Sequence, residues 1–241
     1  MKIYYSQLRQ ELTVMARNGE QLLLIVGIPV LLLIFFSKID VLPTDGQSNI
    51  NFLMPGILGL AVMSTAMVSL GIATGFERSY GVLRRLGTTP LGAKRLVMAK
   101  IVAICCIEIV QLLLLTVVGW SLGWRPDGFN LLNSLMILIL GTSCFAGIGL
   151  TLAGRLRAEV NLAAQNGLYL VLLLLGGILI PNSELPSGVA KIAQVLPSSL
   201  LSSLMRDAFG GIQIGISAFV GFSAWAVAAC VVAIISFKWS D

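Results

Sequence analysis

The chain has 241 residues, of which 57% are hydrophobic and only 11% charged. Soluble domains carry about 25% charged residues, so a water-soluble globule of this size would lack the polar surface to cover itself. An ordinary cytosolic enzyme, a disordered chain and a disulfide-stapled secreted module are excluded, which leaves an integral membrane protein. The chain has no histidine, and with it go the commonest metal ligand and the usual proton acceptor near neutral pH. Cys105, Cys106, Cys144 and Cys230 all fall within apolar runs without metal-ligand spacing, so neither a catalytic set nor a metal site is expected.

Residues 1–18 place Tyr4, Leu8, Leu12 and Met15 at helical spacing, with Lys2, Arg9 and Arg17 recurring every seven or eight residues. This pattern predicts an amphipathic helix lying on the membrane, its apolar stripe at the interface and its cations near the headgroups. Polar-to-mixed sequence precedes the first apolar window, which therefore reads as a retained helix rather than a cleaved leader. A helix crosses the hydrocarbon core with about 20 mostly apolar residues. By that measure the uncharged windows predict six spans, near 20–37, 52–76, 97–120, 130–153, 161–180 and 213–237. Runs such as Leu172 to Leu175 lack the alternation of a membrane β-barrel. The expected fold is a single all-α transmembrane domain over 1–241, with Pro29 kinking the first span.

Six spans put both termini on one face, and twelve of the sixteen Lys and Arg residues fall on that face. Lys38, Arg125, Lys191 and Arg206 fall on the other. The positive-inside bias predicts cytoplasmic termini in a cell membrane. The formal charge of +5 is then a topology signal, and no nucleic-acid partner is expected.

The segment after span two, residues 77–93, is the most informative on that face. Val82 and Leu86 line one side of a short helix, Gly87 suits its end, and Thr89 reads as an N-cap with Pro90 at the first helical position. A short helix, a tight break and a capped helix leading into span three make a stiff elbow. The spacing of Gly87, Gly92 and Lys94 imitates a phosphate-binding loop, but Ala93 stands where lysine is required and no Ser or Thr follows Lys94. The chain is not expected to bind ATP or to act as an enzyme.

The outward loop at 38–51 is too short for a domain. The segment 181–211 is long and apolar for a loop: Pro186 precedes Val189, Ile192, Ala193 and Leu196, Pro197 breaks the pattern, and Leu200, Leu201, Leu204 and Met205 lead to Arg206. Two short amphipathic helices joined at Pro197, the second capped by Ser198 or Ser199, fit this pattern, dipping into the outer leaflet against the bundle. Within the spans, Gly71/Gly75, Gly119/Gly123, Gly211/Gly215 and Ser217/Gly221 permit close helix approach. Glu108 is the only acid deep in a span, where a charge costs roughly 2.5–3.5 kcal/mol, and Gln111 shares its helical face. The pair is either a polar point on a substrate path or a neutral, hydrogen-bonded packing element.

Two stretches carry a family resemblance. One runs from Glu77-Arg78 through Gly81 and Leu83-Arg84-Arg85-Leu86 to Thr89-Pro90-Leu91; the other runs from Leu185-Pro186 through Leu196-Pro197 to Arg206. With the N-terminal helix and six spans, they make the chain resemble the ABC-2 family of ABC-transporter permeases, most like the daunorubicin and multidrug-exporter type. The first stretch matches that family's coupling segment, the second its re-entrant hairpin.

The resemblance implies a half-size permease that pairs with a second permease chain, in a homodimer or heterodimer, and with two separate ATP-binding subunits that hold ATP and Mg. It assigns Glu77, Arg78, Gly81, Arg84, Arg85, Gly87, Thr89 and Pro90 to ATPase coupling, and Pro186, Pro197 and Arg206 to the re-entrant gate. Closure of the ATPase would tilt spans one, two and five and move a drug-like or lipid-like hydrophobic substrate out of the cytoplasm or inner leaflet. Export of a lipid-linked glycan, or a non-transporting scaffold or sensor, are the alternatives.

Overall fold

A backbone in hydrocarbon must satisfy its own hydrogen bonds, so long apolar windows have little choice but to coil. The computed structural model describes residues 2–38, 49–126, 128–178 and 186–239, and every regular element among them is helical. In chain order these are α1 (Lys2–Arg17), α2 (Gly19–Ser37), α3 (Asn49–Met63), a π-helical turn (Ser64–Ser69), α4 (Leu70–Ser79), α5 (Val82–Gly87), α6 (Gly92–Ser121), α7 (Leu131–Ala153), α8 (Ala158–Leu175), α9 (Ser187–Ala193), α10 (Pro197–Phe209) and α11 (Ile216–Ser236). Six stretches are long and apolar enough to cross a membrane: α2, the continuous α3–π–α4 rod, α6, α7, α8 and α11. Each overlaps one expected span. The second and third are longer than expected, because Asn49–Ser79 and Gly92–Ser121 continue as helix beyond their apolar windows. Most of the 38–51 loop, and Pro181 to Leu185 of the expected hairpin, lie outside the described residues.

The α3–π–α4 rod is the axis of the bundle, with 72% of its most apolar window buried against 11% for α2. Glycines on α7 bring two neighbours to backbone distance. A Cβ on Gly149 would stand 2.6 Å from the Met67 carbonyl oxygen of the π turn, and one on Gly147 would stand 2.6 Å from the Ala229 carbonyl carbon of α11. Gly71 and Gly75 do something different from the close backbone approach expected of them: they open a notch on α4 that receives two amide side chains of α8. A Cβ at Gly71 would lie 2.0 Å from Gln165 Nε2, and one at Gly75 2.4 Å from Asn161 Nδ2. Asn161 Nδ2 donates to the Gly71 carbonyl at 2.9 Å, and Gln165 Nε2 donates to the Gly149 carbonyl at 2.9 Å. Both amides are fully buried, and in a bilayer such bonds replace water that is not there.

The elbow forms between α4 and α6 with two corrections to its expected details. It turns at Gly81, whose φ of +73° suits glycine, and α5 ends at Gly87 as expected. Thr89 does not cap the next helix. Its hydroxyl donates back to the Leu86 carbonyl at 2.6 Å, and α6 begins only at Gly92. The pair α9 and α10 also forms, with Pro197 at the first position of α10. Neither Ser198 nor Ser199 is the cap there; Leu196 holds the capping position, without a side-chain hydrogen bond.

Candidate functional site

The chain after α11 packs at the elbow end of the bundle. Leu83 of α5 is fully buried with Leu91, Leu96 and Phe237, and Leu86, Ala93 and Trp239 pack against them. Gly87 lies flat on the Trp239 indole, where a Cβ would sit 3.1–3.3 Å from ring atoms. Phe237 and Trp239 meet edge to face, 5.4 Å between centroids. A small core separate from that of the bundle therefore holds α5 between the start of α6 and the C-terminal tail. Arg84, Arg85, Thr88, Thr89 and Pro90 are left exposed around it.

A second knot ties this end to α1. Lys100 of α6 is 1% exposed, and its Nζ lies 3.0 Å from Glu11 Oε2 of α1 and 2.8 Å from Glu77 Oε2 of α4. Gln7 Nε2 donates to the other oxygen of Glu11 at 2.7 Å. A buried ammonium is tolerated because it is paired and hydrogen-bonded on both sides. Sequence reasoning counted Lys100 only as a topology charge and passed over Glu11. The available signal was an acid interrupting the apolar-basic pattern of α1, but sequence spacing alone could not reveal its partner 89 positions away. Arg78 is also buried: its Nη2 donates to the Leu156 carbonyl at 2.6 Å, pinning the end of α4 to the α7–α8 turn. Of the eight residues assigned to coupling, Arg84, Arg85, Gly87, Thr89 and Pro90 are exposed, Gly81 is half-buried, and Glu77 and Arg78 face inward as struts.

An open-sided cavity of about 600 Å³ lies between α2, the π turn with α4, and α8. Ile25, Ile28, Val68, Ile72 and Phe76 give it apolar walls; Gln21, Ser64, Ser69, Asn166 and Tyr169 supply hydrogen-bonding groups, and among the described residues Glu20 is the one charged residue lining it. Gln21 Nε2 donates to Ser69 Oγ across it, joining α2 to the π turn. An apolar cleft with a few polar groups is the usual form of a small-molecule site.

Glu108 and Gln111 sit behind this cavity rather than in it. Glu108 is fully buried and accepts the Thr142 hydroxyl of α7 on Oε2. Gln111, also buried, spans two elements: Thr65 Oγ1 of the π turn donates to its Oε1 at 3.0 Å, and its Nε2 donates to the Ile25 carbonyl of α2 at 2.8 Å. Of the residues assigned to the gate, Pro197 starts α10, and Pro186 stands before α9. Arg206 is drawn inward. Its Nη2 donates to the Gly177 carbonyl at 2.7 Å, and its guanidinium lies 4.5 Å from the centroid of the Phe52 ring. Burial lowers the pKa of this group from the ordinary arginine value, and the carbonyl and the ring face hold it in place.

Residues 4–210 match the sequence profile of the family described as ABC-2 type transporter. The chain is also similar to the protein named "Putative transport permease YvfS" of Bacillus subtilis (strain 168), with 26% identity over 202 residues that cover 82% of each chain. The six membrane-crossing helices accord with that match. The chain belongs to the ABC-2 type transporter family, the multi-pass permease subunits of ABC transporters.

Proposed function

We propose that this chain is the permease half of an ATP-driven exporter, with both termini cytoplasmic, α1 on the inner membrane surface, and α5 seated in a cleft of a separate ATP-binding subunit. The observation that carries this reading is the elbow. α5 presents Arg84 and Arg85 outward, while its Leu83 packs on the start of α6 and the C-terminal tail, and the Lys100 pairs tie α6 to α4 and α1. A rigid exposed helix of this kind transmits a push from outside without folding away. A second permease chain packs beside the first, covering the exposed apolar faces of α2 and α8. The cavity between α2, α4 and α8 takes a hydrophobic, drug-like or lipid-like substrate, and α9–α10 dips in from the outer side as a gate.

The test uses the complex with its ATP-binding subunit in liposomes, probed with a benzophenone derivative of dodecylamine. Gly81→Pro, which cannot adopt a φ of +73°, and the Arg84→Glu/Arg85→Glu pair are expected to abolish probe-stimulated ATP hydrolysis while membrane insertion persists. Normal stimulated hydrolysis in both variants would overturn the coupling role of α5. Photolabelling of the wild-type chain is expected at cavity-lining residues such as Ile25, Ile28, Ile72, Phe76 or Tyr169, and labelling confined to residues outside the cavity wall would remove the cavity from the substrate path.

A further inference from the structure

Proline at position 29 has no N–H, so the Ile25 carbonyl, four residues earlier in α2, loses its intrahelical donor. Pro29 is buried, within a helix long and apolar enough to cross a membrane. The bond is supplied from another span: Gln111 Nε2 of α6 donates to this carbonyl at 2.8 Å. The other end of the same amide accepts from Thr65 Oγ1 at 3.0 Å, and Thr65 stands in the π-helical turn that interrupts span two. One side chain of α6 thus fills the vacancy that Pro29 leaves in α2 and bonds a side chain of the π turn in span two. Both border the cavity, whose lining includes Ile25, Pro29 and Ser64, and Gln111 itself is 1% exposed behind it.

We infer that Gln111 is a positioning residue of the transport path: a clasp that holds α2, at the carbonyl Pro29 leaves without its helical donor, at a set distance from the π turn and thereby sets the width of the cavity. The inference rests on the cavity being the substrate path. It separates two roles that a deletion alone would confuse, filling a vacant hydrogen bond and tethering α2. Replacing Pro29 by alanine restores an N–H that satisfies the Ile25 carbonyl within α2, but it cannot tie α2 to α6 or to Thr65.

The experiment compares wild type, Gln111→Leu and Gln111→Leu/Pro29→Ala in the complex with its ATP-binding subunit, native cysteines replaced and the chain in lipid nanodiscs. Spin labels at Leu23→Cys and Tyr80→Cys, both exposed, report the separation of α2 from the end of α4; a pair at Phe35→Cys and Leu132→Cys reports the region beyond Pro29. Gln111→Leu is expected to lower the unfolding midpoint by about 3–8 °C, to broaden and lengthen the first distance distribution but not the second, and to cut photolabelling by the dodecylamine probe at least about fivefold, close to 1 kcal/mol. The double variant is expected to recover the midpoint while distance and labelling stay altered. Recovery of all three would show that Gln111 only fills a vacancy and would overturn the clasp, as would a Leu23–Tyr80 distribution identical to wild type in Gln111→Leu. Altered distances with no probe in the wild-type cavity would uphold the clasp and defeat the substrate-path reading instead.

Discussion

Lys100→Met is the most diagnostic single change at the elbow end. The lysine is 1% exposed and lies within 3.0 Å of one carboxylate and 2.8 Å of another. Methionine keeps the chain length and the apolar stem but removes the charge both acids face. Breaking a buried pair from one side costs about 3–5 kcal/mol, because the charge left behind stays desolvated and unpaired. The Glu11 side chain is 8% exposed and that of Glu77 25%, so water relieves Glu77 in part and the larger share of the cost falls at Glu11 on α1. The remedy open to the molecule is to release α1, since the spans are held by their own packing. We expect limited trypsin digestion in nanodiscs to cut after Arg9 and Arg17 at least tenfold faster in Lys100→Met, with the spans intact. The triple variant Lys100→Met/Glu11→Gln/Glu77→Gln is expected to recover most of the protection, since neutral amides can pair without a cation. Digestion of Lys100→Met at the wild-type rate would refute the assignment of these pairs as the anchor of α1, and no recovery in the triple variant would refute the charge argument.

Three further changes test other parts of the structure. Gly71→Ala drives the Gln165 amide out of its notch and leaves the Gly149 carbonyl without that donor, an expected loss of about 1–3 kcal/mol, seen as a lower unfolding midpoint in detergent; Gly71→Ala/Gln165→Ala is expected to be milder than Gly71→Ala alone, and the opposite order would show that the notch is not what the glycine provides. Leu83→Ala empties the centre of the elbow core at an expected local cost of about 2–5 kcal/mol; hydrogen exchange is expected to quicken in α5 and in the tail around Trp239 together, and exchange confined to α5 would mean the two are not one unit. Glu108→Gln keeps an acceptor for Thr142 and touches no cavity wall, so cationic and neutral benzophenone probes (dodecylamine and dodecanol derivatives) are each expected to label within about twofold of wild type; a selective loss of the cationic probe would restore Glu108 to the substrate path.

What the sequence made legible follows from which forces are local. Spans were readable because length and apolarity alone decide them in lipid, and α9–α10 was readable because Pro197 interrupts two apolar stripes. The helix stop at Gly87 was readable for a similar reason. The Thr89 cap was misplaced because its hydroxyl has two backbone options within reach, and the turn at Gly92, with φ of +71°, lets α6 begin later. Nothing local marks the π turn: Ser64–Ser69 is as compatible with an ordinary helix as with a wider one, and the choice is made by α7, whose Gly149 admits the Met67 carbonyl. The ion pairs of Lys100 and the bridge of Gln111 join residues from 23 to 89 positions apart. Each partner alone looked like a flank charge or a polar speck, and only packing brings them together.

The placement of these features along one rod has a mechanical consequence. Span two is clamped at its elbow end by Glu77 and Arg78 and along its middle by the α7 and α8 contacts of Gly149, Gln165 and Asn161. Span one is less buried, with 11% of its apolar window inside, and among the described residues its side-chain ties to the rest of the bundle are Gln21 to Ser69 and Ile25 to Gln111. On the proposed coupling, a push delivered at α5 would be carried by the clamped rod, while α2 beside it, the least buried span, packs along α3 and is hydrogen-bonded at two points on the cavity wall. If the cavity is the path, opening it does not require the rod to bend. Of the two ties of α2, the unfilled carbonyl at Ile25 makes the Gln111 tie the costlier one to release without a substitute donor.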